Sequence, residues 1–307
     1  MGTYIIKRLV HSVIVLFGIT LFVFLLLYFS GDPVRLLLPM DATAEQYNAM
    51  KQAMGFNDPF FVQYLRFLDK AVHLDFGISL RNQVPVFGLI ASYFKNTLLL
   101  ATAAFIIALI VAIPSGILSA IKRNSILDFI ISIFVVLGQA MPLYWLGLML
   151  ILIFSVDLRW LPSGGFGYST NLILPAITLG VFSMSRIARM SRSSMLEVLN
   201  QDFIRTPRSQ GLAEAQVNFK YALKAAAIPI VTLIGTEYCI LLEGTVVTET
   251  IFSWPGVGQL VVQAAYARDY PVVQAVVILI TAIIVFFNLA IDIIYTYLDP
   301  RIKYGKL

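Results

Sequence analysis

The run Thr97–Ala120, TLLLATAAFIIALIVAIPSGILSA, extends for 24 residues without a single charged side chain. A helix needs about 20 consecutive apolar residues to cross the core of a bilayer. Runs of comparable length precede and follow this one. Together they predict six transmembrane helices: Leu9–Phe29, Thr97–Ala120, Phe129–Val156, Leu172–Met190, Ile230–Ile251 and Val272–Leu298. The sequence therefore predicts an all-α membrane protein, whose first run is too long for a cleaved signal peptide.

The composition agrees with a membrane protein and excludes several other classes. Of the 307 residues, 59% are hydrophobic and 13% are charged, whereas soluble domains average about 45–50% apolar and about 25% charged residues. The net charge of +5 does not indicate nucleic-acid binding, because the basic residues lie at the ends of apolar runs. Cys239 is the only cysteine, and His11 and His73 lie far apart, so neither a disulfide nor a metal site is expected.

Lysine and arginine placement predicts the orientation, because cytoplasmic segments of membrane proteins are enriched in these residues. With the N-terminus inside, the inner segments hold fourteen of them: Lys7, Arg8, Lys122, Arg123, Arg186, Arg189, Arg192, Arg205, Arg208, Lys220, Lys224, Arg301, Lys303 and Lys306. The outer segments hold eight: Arg35, Lys51, Arg66, Lys70, Arg81, Lys95, Arg159 and Arg268. Six of these eight lie in the long Ser30–Asn96 loop, which is nearly exempt from the rule. Both termini are therefore predicted to be cytoplasmic.

The chain is expected to have three parts. Residues 1–29 form an N-terminal transmembrane helix, residues 30–96 an external cap loop, and residues 97–307 a five-helix core. Pro114 and Pro142 interrupt the second and third runs and are expected to kink them.

The core includes a cytoplasmic loop at residues 191–228. In this loop, Leu196, Leu199 and Phe203 recur at helical spacing, and a break at Thr206–Gly211 separates them from a second apolar face. The pattern predicts two short amphipathic helices at an angle, joined by a corner in which Gly211 has φ > 0.

The motifs of the chain, taken in order, resemble those of one transporter family. The central motif is Phe203-Ile204-Arg205-Thr206-Pro207-Arg208-Ser209-Gln210-Gly211-Leu212, with Ala222-Leu223 and Ile228-Pro229 downstream. The others are Gly31-Asp32-Pro33, Gly55-Phe56-Asn57-Asp58-Pro59, Gln63-Tyr64, Leu74-Asp75-Phe76-Gly77-Ile78-Ser79, Trp160-Leu161-Pro162, Thr248-Glu249-Thr250-Ile251-Phe252-Ser253-Trp254-Pro255-Gly256, Arg268-Asp269-Tyr270-Pro271 and Asp299-Pro300-Arg301. Together they resemble bacterial ABC-importer permeases of the dipeptide, oligopeptide and nickel branch, and the central motif resembles their EAA loop. The resemblance is closest to the first-named permease of such a heterodimer.

The resemblance implies a type I ABC importer permease fold in the bacterial cytoplasmic (inner) membrane. The implied partners are a second homologous permease subunit, two cytoplasmic ATPase subunits, an extracytoplasmic substrate-binding protein and the lipid bilayer. In this family the EAA loop docks into a groove on the ATPase. Carried over by position, the docking residues are Arg205, Thr206, Pro207, Arg208, Gly211 and Leu212.

Two positions depart from the family, since Pro207 and Glu243 each stand where a small residue is usual. Proline fits best in a first helical turn. The alternative for the loop is an amphipathic helix pair lying on anionic lipid.

The chain is not expected to be an enzyme or to bind a cofactor. It has no Gly-x-x-x-x-Gly-Lys-Ser/Thr phosphate cradle, and its only Gly-Lys pair is Gly305-Lys306. ATP and Mg²⁺ are therefore assigned to the partner ATPase subunits.

Three carboxylates in the fifth apolar run are candidates for the translocation path: Glu237, Glu243 and Glu249. At about 100° per residue, Glu243 lies about 240° from each of the other two, so the three do not form one stripe. Glu243 is expected to face a wet cavity. Glu249 is expected either to line the path or to cap the turn at Trp254–Gly258.

The leading function is import of small peptides, that is, dipeptides or oligopeptides. The same architecture could import nickel, a metal chelate or glutathione. A different class, an ion-coupled secondary transporter, would favour an internal repeat with paired broken helices, and the sequence shows none. A membrane receptor or enzyme would need a larger soluble domain or a catalytic cluster.

Overall fold

The computed structural model describes residues 2–30, 34, 38, 42–53 and 55–298, and its regular structure is helical. Within these ranges the only β-type pairing is an isolated bridge between Ile78 and Pro85. The motifs Gly31-Asp32-Pro33 and Asp299-Pro300-Arg301 lie outside the described residues, as does the basic C-terminal end, so the expectations placed on them are not addressed.

The helices have the following bounds: α1 Gly2–Ser30, α2 Ala44–Ala53, α3 Phe60–Val72, α4 Val86–Ile121, α5 Ile126–Ala140, α6 Leu143–Leu150, α7 Ile173–Leu199, α8 Asp202–Ser209, α9 Glu214–Gln216, α10 Leu223–Ile251, α11 Val257–Tyr266 and α12 Tyr270–Leu298. A 3₁₀ turn, Ser169–Leu172, precedes α7. Two π-helical segments extend α6 and α9, namely Ile151–Asp157 and Val217–Ala222.

Among the described residues, five helical segments are long and apolar enough to cross a membrane: Ile6–Leu26, Val86–Ile121, Ser169–Leu199, Glu214–Ile251 and Tyr270–Ile291. Helix α5 and the segment Leu143–Asp157, which is α6 with its π-helical extension, can together form one broken span. This pair would be the sixth crossing. The axes of these two segments differ by 111°. The predicted set of six helices therefore corresponds to five continuous helical spans and one sharply bent pair.

The two prolines behave differently in the structure. Met141 and Pro142 both adopt extended backbone angles at the α5–α6 break, which agrees with the extended conformation that a residue before proline prefers. Pro114 lies inside α4, which continues through it for 36 residues. The break predicted from Pro142 is confirmed, whereas Pro114 does not end its helix.

The chain forms two compact units, and the first consists of Met1–Lys95 and Leu260–Leu289. In this unit α3 packs on α1, where the Tyr64 hydroxyl lies 3.0 Å from Thr20 Oγ1 and the Tyr64 ring contacts Phe24. The buried carboxylate of Asp269 accepts hydrogen bonds from Ser79 Oγ at 2.5 Å and from two successive backbone N–H groups, those of Leu80 and Arg81. This carboxylate fixes the loop between α3 and α4.

The second unit consists of Asn96–Gln259 and Ala290–Leu307 and is organised around α7. Small residues bring α4 close to α7: a Cβ atom added to Gly180 would lie 2.8 Å from the carbonyl oxygen of Ala104. A Cβ on Gly116 would lie closer still, 2.5 Å from the carbonyl oxygen of Ala188. Close approach through small residues is typical of helix packing in membranes, where apolar burial against a neighbour gains little over lipid.

The predicted pair of amphipathic helices in the cytoplasmic loop needs one correction. Leu196 and Leu199 belong to the end of α7, whereas Phe203 lies on the separate helix α8 and is 46% exposed. The extended backbone of Gln201 (φ −81°, ψ 149°) breaks the periodicity on which a shared apolar face depends. The residues that α8 buries are Ile204 and Pro207.

Candidate functional site

Helix α8 has an inner face that is anchored in the second unit and an outer face that is exposed. Ile204 is fully buried in a cluster that includes Met195 of α7 and Val217 of the π-helical turn. Arg205 is largely exposed and forms a surface ion pair with Asp202 at 3.3 Å, a contact that contributes little to stability. The structure therefore holds α8 firmly from one side and leaves its charged side open.

The corner after α8 has the geometry that the sequence predicts. Gly211 has φ +76°, and the following residue, Leu212, donates its N–H to the carbonyl oxygen of Pro207 at 3.2 Å. A Cβ on Gly211 would meet no atom within 4 Å, so only the backbone angle requires glycine here. Arg208 reaches across the corner, with its Nε 2.9 Å from Glu214 Oε1.

The six residues of the predicted docking element thus divide into two groups. Arg205, Thr206, Arg208 and Gly211 are exposed, whereas Pro207 is buried and Leu212 is partly buried against the core cluster. Pro207 lies in the last turn of α8 rather than in the first turn that suits proline best.

Two exposed aromatic residues near this corner were missed by sequence reasoning. Phe219 is 55% exposed and Tyr221 is 38% exposed, and both lie on the π-helical turn against which α8 packs. Aromatic side chains are enriched in protein interfaces relative to the rest of a protein surface. The available signal was the occurrence of both aromatics within the polar segment 214–224, where no apolar run requires them.

Glu249, at the C-terminal end of α10, is a structural cap. Its fully buried carboxylate accepts hydrogen bonds from Thr97 Oγ1 at 2.7 Å and from the N–H groups of Gly258 at 2.7 Å and Gln259 at 3.1 Å. Gly258 and Gln259 lie in the first turn of α11, so the carboxylate satisfies N–H groups that a helix leaves free there. Of the two roles considered for Glu249, these contacts support the capping role.

Glu237 is also fully buried, against the guanidinium of Arg186 on α7. Arg186 Nε lies 3.0 Å from Glu237 Oε1, and the guanidinium lies 5.9 Å from the centre of the Phe182 ring. The pair joins α7 to α10. Glu237 is therefore buried against a partner within the protein and does not face an open cavity.

Glu243 has a different environment, since its side chain is exposed. Among the described residues it makes neither a hydrogen bond nor an ion pair. The nearby cavity of about 120 Å³ at the α5–α6 bend is lined by Gly244, Ile240, Thr178 and Ser183, among others, and not by Glu243. The three carboxylates therefore lie in three different environments, as their angular spacing predicts.

A second ion pair joins α7 to α5. Arg192 donates two parallel hydrogen bonds to Asp128, both 2.9 Å long, and Nε also lies 3.0 Å from Ser119 Oγ on α4. Asp128 also accepts hydrogen bonds from the Ser119 hydroxyl and the Asn124 N–H. A bidentate arginine–carboxylate pair of this kind fixes orientation as well as distance.

Comparison with known families identifies the chain. The model of the family described as binding-protein-dependent transport system inner membrane component matches residues 112–304, and the N-terminal model of the same system matches residues 1–104. The chain belongs to this family. It is a permease component of an ABC importer and a multi-pass protein of the inner membrane, which confirms the resemblance seen in its motifs.

Curated relatives match the permease over almost its whole length. The oligopeptide transport system permease protein AppB of Bacillus subtilis is 40% identical over 316 residues, covering 99% of this chain and 100% of the relative. The dipeptide transport system permease protein DppB of Alkalihalophilus pseudofirmus is 37% identical with the same coverage. The glutathione transport system permease protein GsiC of Escherichia coli K12 is also 37% identical, again with the same coverage.

Solved structures confirm the fold. The permease superposes on a chain of the inward-facing MetNI methionine ABC transporter with a TM-score of 0.59 at 21% identity. The match covers 69% of this chain and 96% of that one. The fold is therefore that of the type I ABC importer permeases, as the motifs predict.

Proposed function

We propose that this permease forms half of the translocation path of an ABC importer for short peptides, and that α8 with its Gly211 corner docks on a cytoplasmic ATPase. The observation that carries the coupling part is the geometry of α8. It is anchored through Ile204 and Pro207 and exposes Arg205, Thr206 and Arg208. A helix that is anchored on one face and exposed on the other can transmit the displacement of a docked partner to α7 and α10, the spans on either side of it.

The substrate class rests on the relatives. AppB and DppB are named for oligopeptide and dipeptide transport and match this chain from end to end. Peptides of both sizes share a free amino group, a free carboxylate and peptide bonds, so one translocation path can accept both.

The other subunits follow from the sequence and the family. The chain lacks a phosphate cradle, so two ATPase subunits that hold ATP and Mg²⁺ must supply the energy. The family description names a binding-protein-dependent system, which supports an extracytoplasmic substrate-binding protein as a partner. The second permease is a partner that the resemblance of the motifs implies. In this arrangement the 191–228 loop and both termini are cytoplasmic, and residues 30–96 are outside.

The test is uptake by a reconstituted complex of both permeases, the ATPases and the binding protein. We expect ATP-dependent accumulation of labelled dipeptides and tripeptides in proteoliposomes, together with peptide-stimulated ATP hydrolysis. Uptake driven by an ion gradient without ATP would contradict the proposal in favour of a secondary transporter. Uptake of a nickel chelate but of no peptide would support the proposed ABC-importer architecture and contradict the proposed peptide substrate.

Glutathione import is a second candidate, because GsiC is as similar to this chain as DppB is. Glutathione contains a γ-glutamyl linkage in place of an ordinary peptide bond. Competition of unlabelled glutathione against labelled dipeptide distinguishes the two: complete displacement at equal concentration favours glutathione, and weak displacement favours dipeptides.

A further inference from the structure

Helix α7 carries three arginines at successive turns, and the structure gives them unequal partners. Arg186 pairs with Glu237, and Arg192 pairs with Asp128. Arg189, between them, is exposed and makes no hydrogen bond or ion pair within the described part of the chain. An exposed cation near the end of a membrane span reaches the interface, where an anion from outside the chain can pair with it.

Arg189 borders a cleft between α4, α5 and α7, with a volume of about 170 Å³. Its polar end is formed by Arg189, Arg192, Ser119 and Ser132. A water molecule occupies about 30 Å³ of liquid, so the cleft can accept a group several times larger. The Ser119 hydroxyl and the Arg192 guanidinium already donate to Asp128, so the donors left for a phosphate oxygen are the Arg189 guanidinium and the Ser132 hydroxyl.

The rest of the cleft is apolar. Its wall is formed by Ile131, Val135 and Val136 of α5. The outward face of α5 continues this apolar surface, with Phe129 67% and Phe134 70% exposed. A site with cationic donors at one end and an aliphatic wall along the other matches a phospholipid, with its phosphodiester at the arginines and an acyl chain along α5.

Two further features favour a lipid over a soluble anion. Lys122 and Arg123 are exposed in the short turn between α4 and α5, so positive charge surrounds the polar end of the cleft. In the proposed orientation this end lies at the cytoplasmic leaflet, where basic pockets between spans bind anionic headgroups. The inference thus rests on the orientation given under the proposed function.

We propose that the Arg189 cleft is a specific site for an anionic phospholipid headgroup. The lipid phosphodiester bridges Arg189 to the Ser132 side of the cleft and neutralises the remaining charge of α7. The Asp128–Arg192 pair positions the second guanidinium and is not broken by the lipid.

Native mass spectrometry of the assembled complex, released from nanodiscs, tests this proposal. The nanodiscs contain phosphatidylcholine with or without phosphatidylglycerol. We expect phosphatidylglycerol to be retained in preference to phosphatidylcholine. Arg189→Gln should lower this preference about fivefold or more, since one basic residue near an anionic surface contributes about 1 kcal/mol. The matched control is Lys224→Gln, which removes an exposed positive charge from α10, outside the cleft, and should leave retention unchanged.

A second variant keeps the test decisive if Arg189→Gln assembles poorly. Val136→Trp fills the apolar wall without changing any charge, and Val136 is already 57% exposed, so folding should tolerate it. Retention of phosphatidylglycerol should fall here too. Equal retention in wild type and both variants would overturn the proposal and favour coverage of the cleft by the partner permease. Displacement of the lipid by excess inorganic phosphate would overturn it in favour of a soluble anion. Lipid retention requires no substrate or ATP, so this result does not depend on whether the complex transports peptides.

Discussion

Replacing Glu249 by glutamine tests whether this carboxylate serves structure or transport. The substitution keeps the size of the side chain and removes its charge. In the wild type one carboxylate oxygen accepts a hydrogen bond from the Thr97 hydroxyl. The other accepts hydrogen bonds from the N–H groups of Gly258 and Gln259. The change therefore acts on three hydrogen bonds in a fully buried site.

The expected cost follows from these contacts. The amide oxygen of glutamine can keep the two N–H groups of α11, but these bonds lose their charged acceptor, at about 1 kcal/mol each. The amide NH₂ group then faces the Thr97 hydroxyl, which can no longer donate its proton there, at about 1 kcal/mol more. Thr97 Oγ1 already accepts the N–H of Val257 at 2.9 Å, so it cannot turn away without a further loss. The free energy of unfolding should fall by about 3 kcal/mol.

Glu243→Gln is the matched control, because it makes the same chemical change on the same helix at an exposed position. Its effect on stability should stay within about 0.5 kcal/mol. If Glu243 faces the path, this variant should keep basal ATP hydrolysis and change the uptake of cationic or free-amino substrates.

The assay is denaturant unfolding of both purified variants in mixed micelles, with peptide uptake by the reconstituted complex measured in parallel. Equal stability losses in the two variants, or no loss in Glu249→Gln, would refute the capping role. A change in neither stability nor uptake for Glu243→Gln would mean that this residue faces neither the path nor a partner.

Two further predictions concern the loop and the topology. Gly211→Val should permit membrane insertion but weaken ATPase binding and peptide-stimulated hydrolysis. Gly77→Val introduces the same strain, about 1–2 kcal/mol, at an equal φ of +76° in open space and serves as its control. Full stimulation in the Gly211 variant would remove the coupling role from this corner. Reporters fused after Leu307 and inserted near Gln201 should report the cytoplasm, and one near Asn48 the outside; an odd number of crossings would contradict the model.

The spans were predictable because membrane crossing depends on local composition. The apolar runs beginning at Leu9, Thr97 and Val272 correspond to α1, α4 and α12. The break at Pro142 was predicted from the proline, but the same reasoning applied to Pro114, which α4 passes through, so the loss of a backbone donor alone does not decide where a helix ends. The 111° angle between α5 and α6 was not predicted, because it depends on how the two segments pack against α7.

The coupling loop shows the same division between local and tertiary causes. A positive φ at Gly211 is a property of a tight corner and can be read from adjacent residues. The placement of Phe203 outside and Ile204 inside depends on Met195 and Val217, which pack against Ile204 from two other elements. Periodicity alone therefore assigned Phe203 to the wrong face.

The three arginines of α7 show why the spacing of residues along a helix does not predict which carboxylates they pair with. In the sequence Arg186, Arg189 and Arg192 are three equivalent cations at the end of a span. Glu237 follows Arg186 by 51 residues, and Asp128 precedes Arg192 by 64 residues, so only the folded arrangement of α5, α7 and α10 assigns one carboxylate to each of two arginines. Three guanidinium groups then meet two carboxylates, and one positive charge remains at a cleft that opens along an apolar helix. In the proposed orientation this end of α7 lies at the cytoplasmic leaflet, so an anionic lipid headgroup is the partner that we propose for the unmatched arginine.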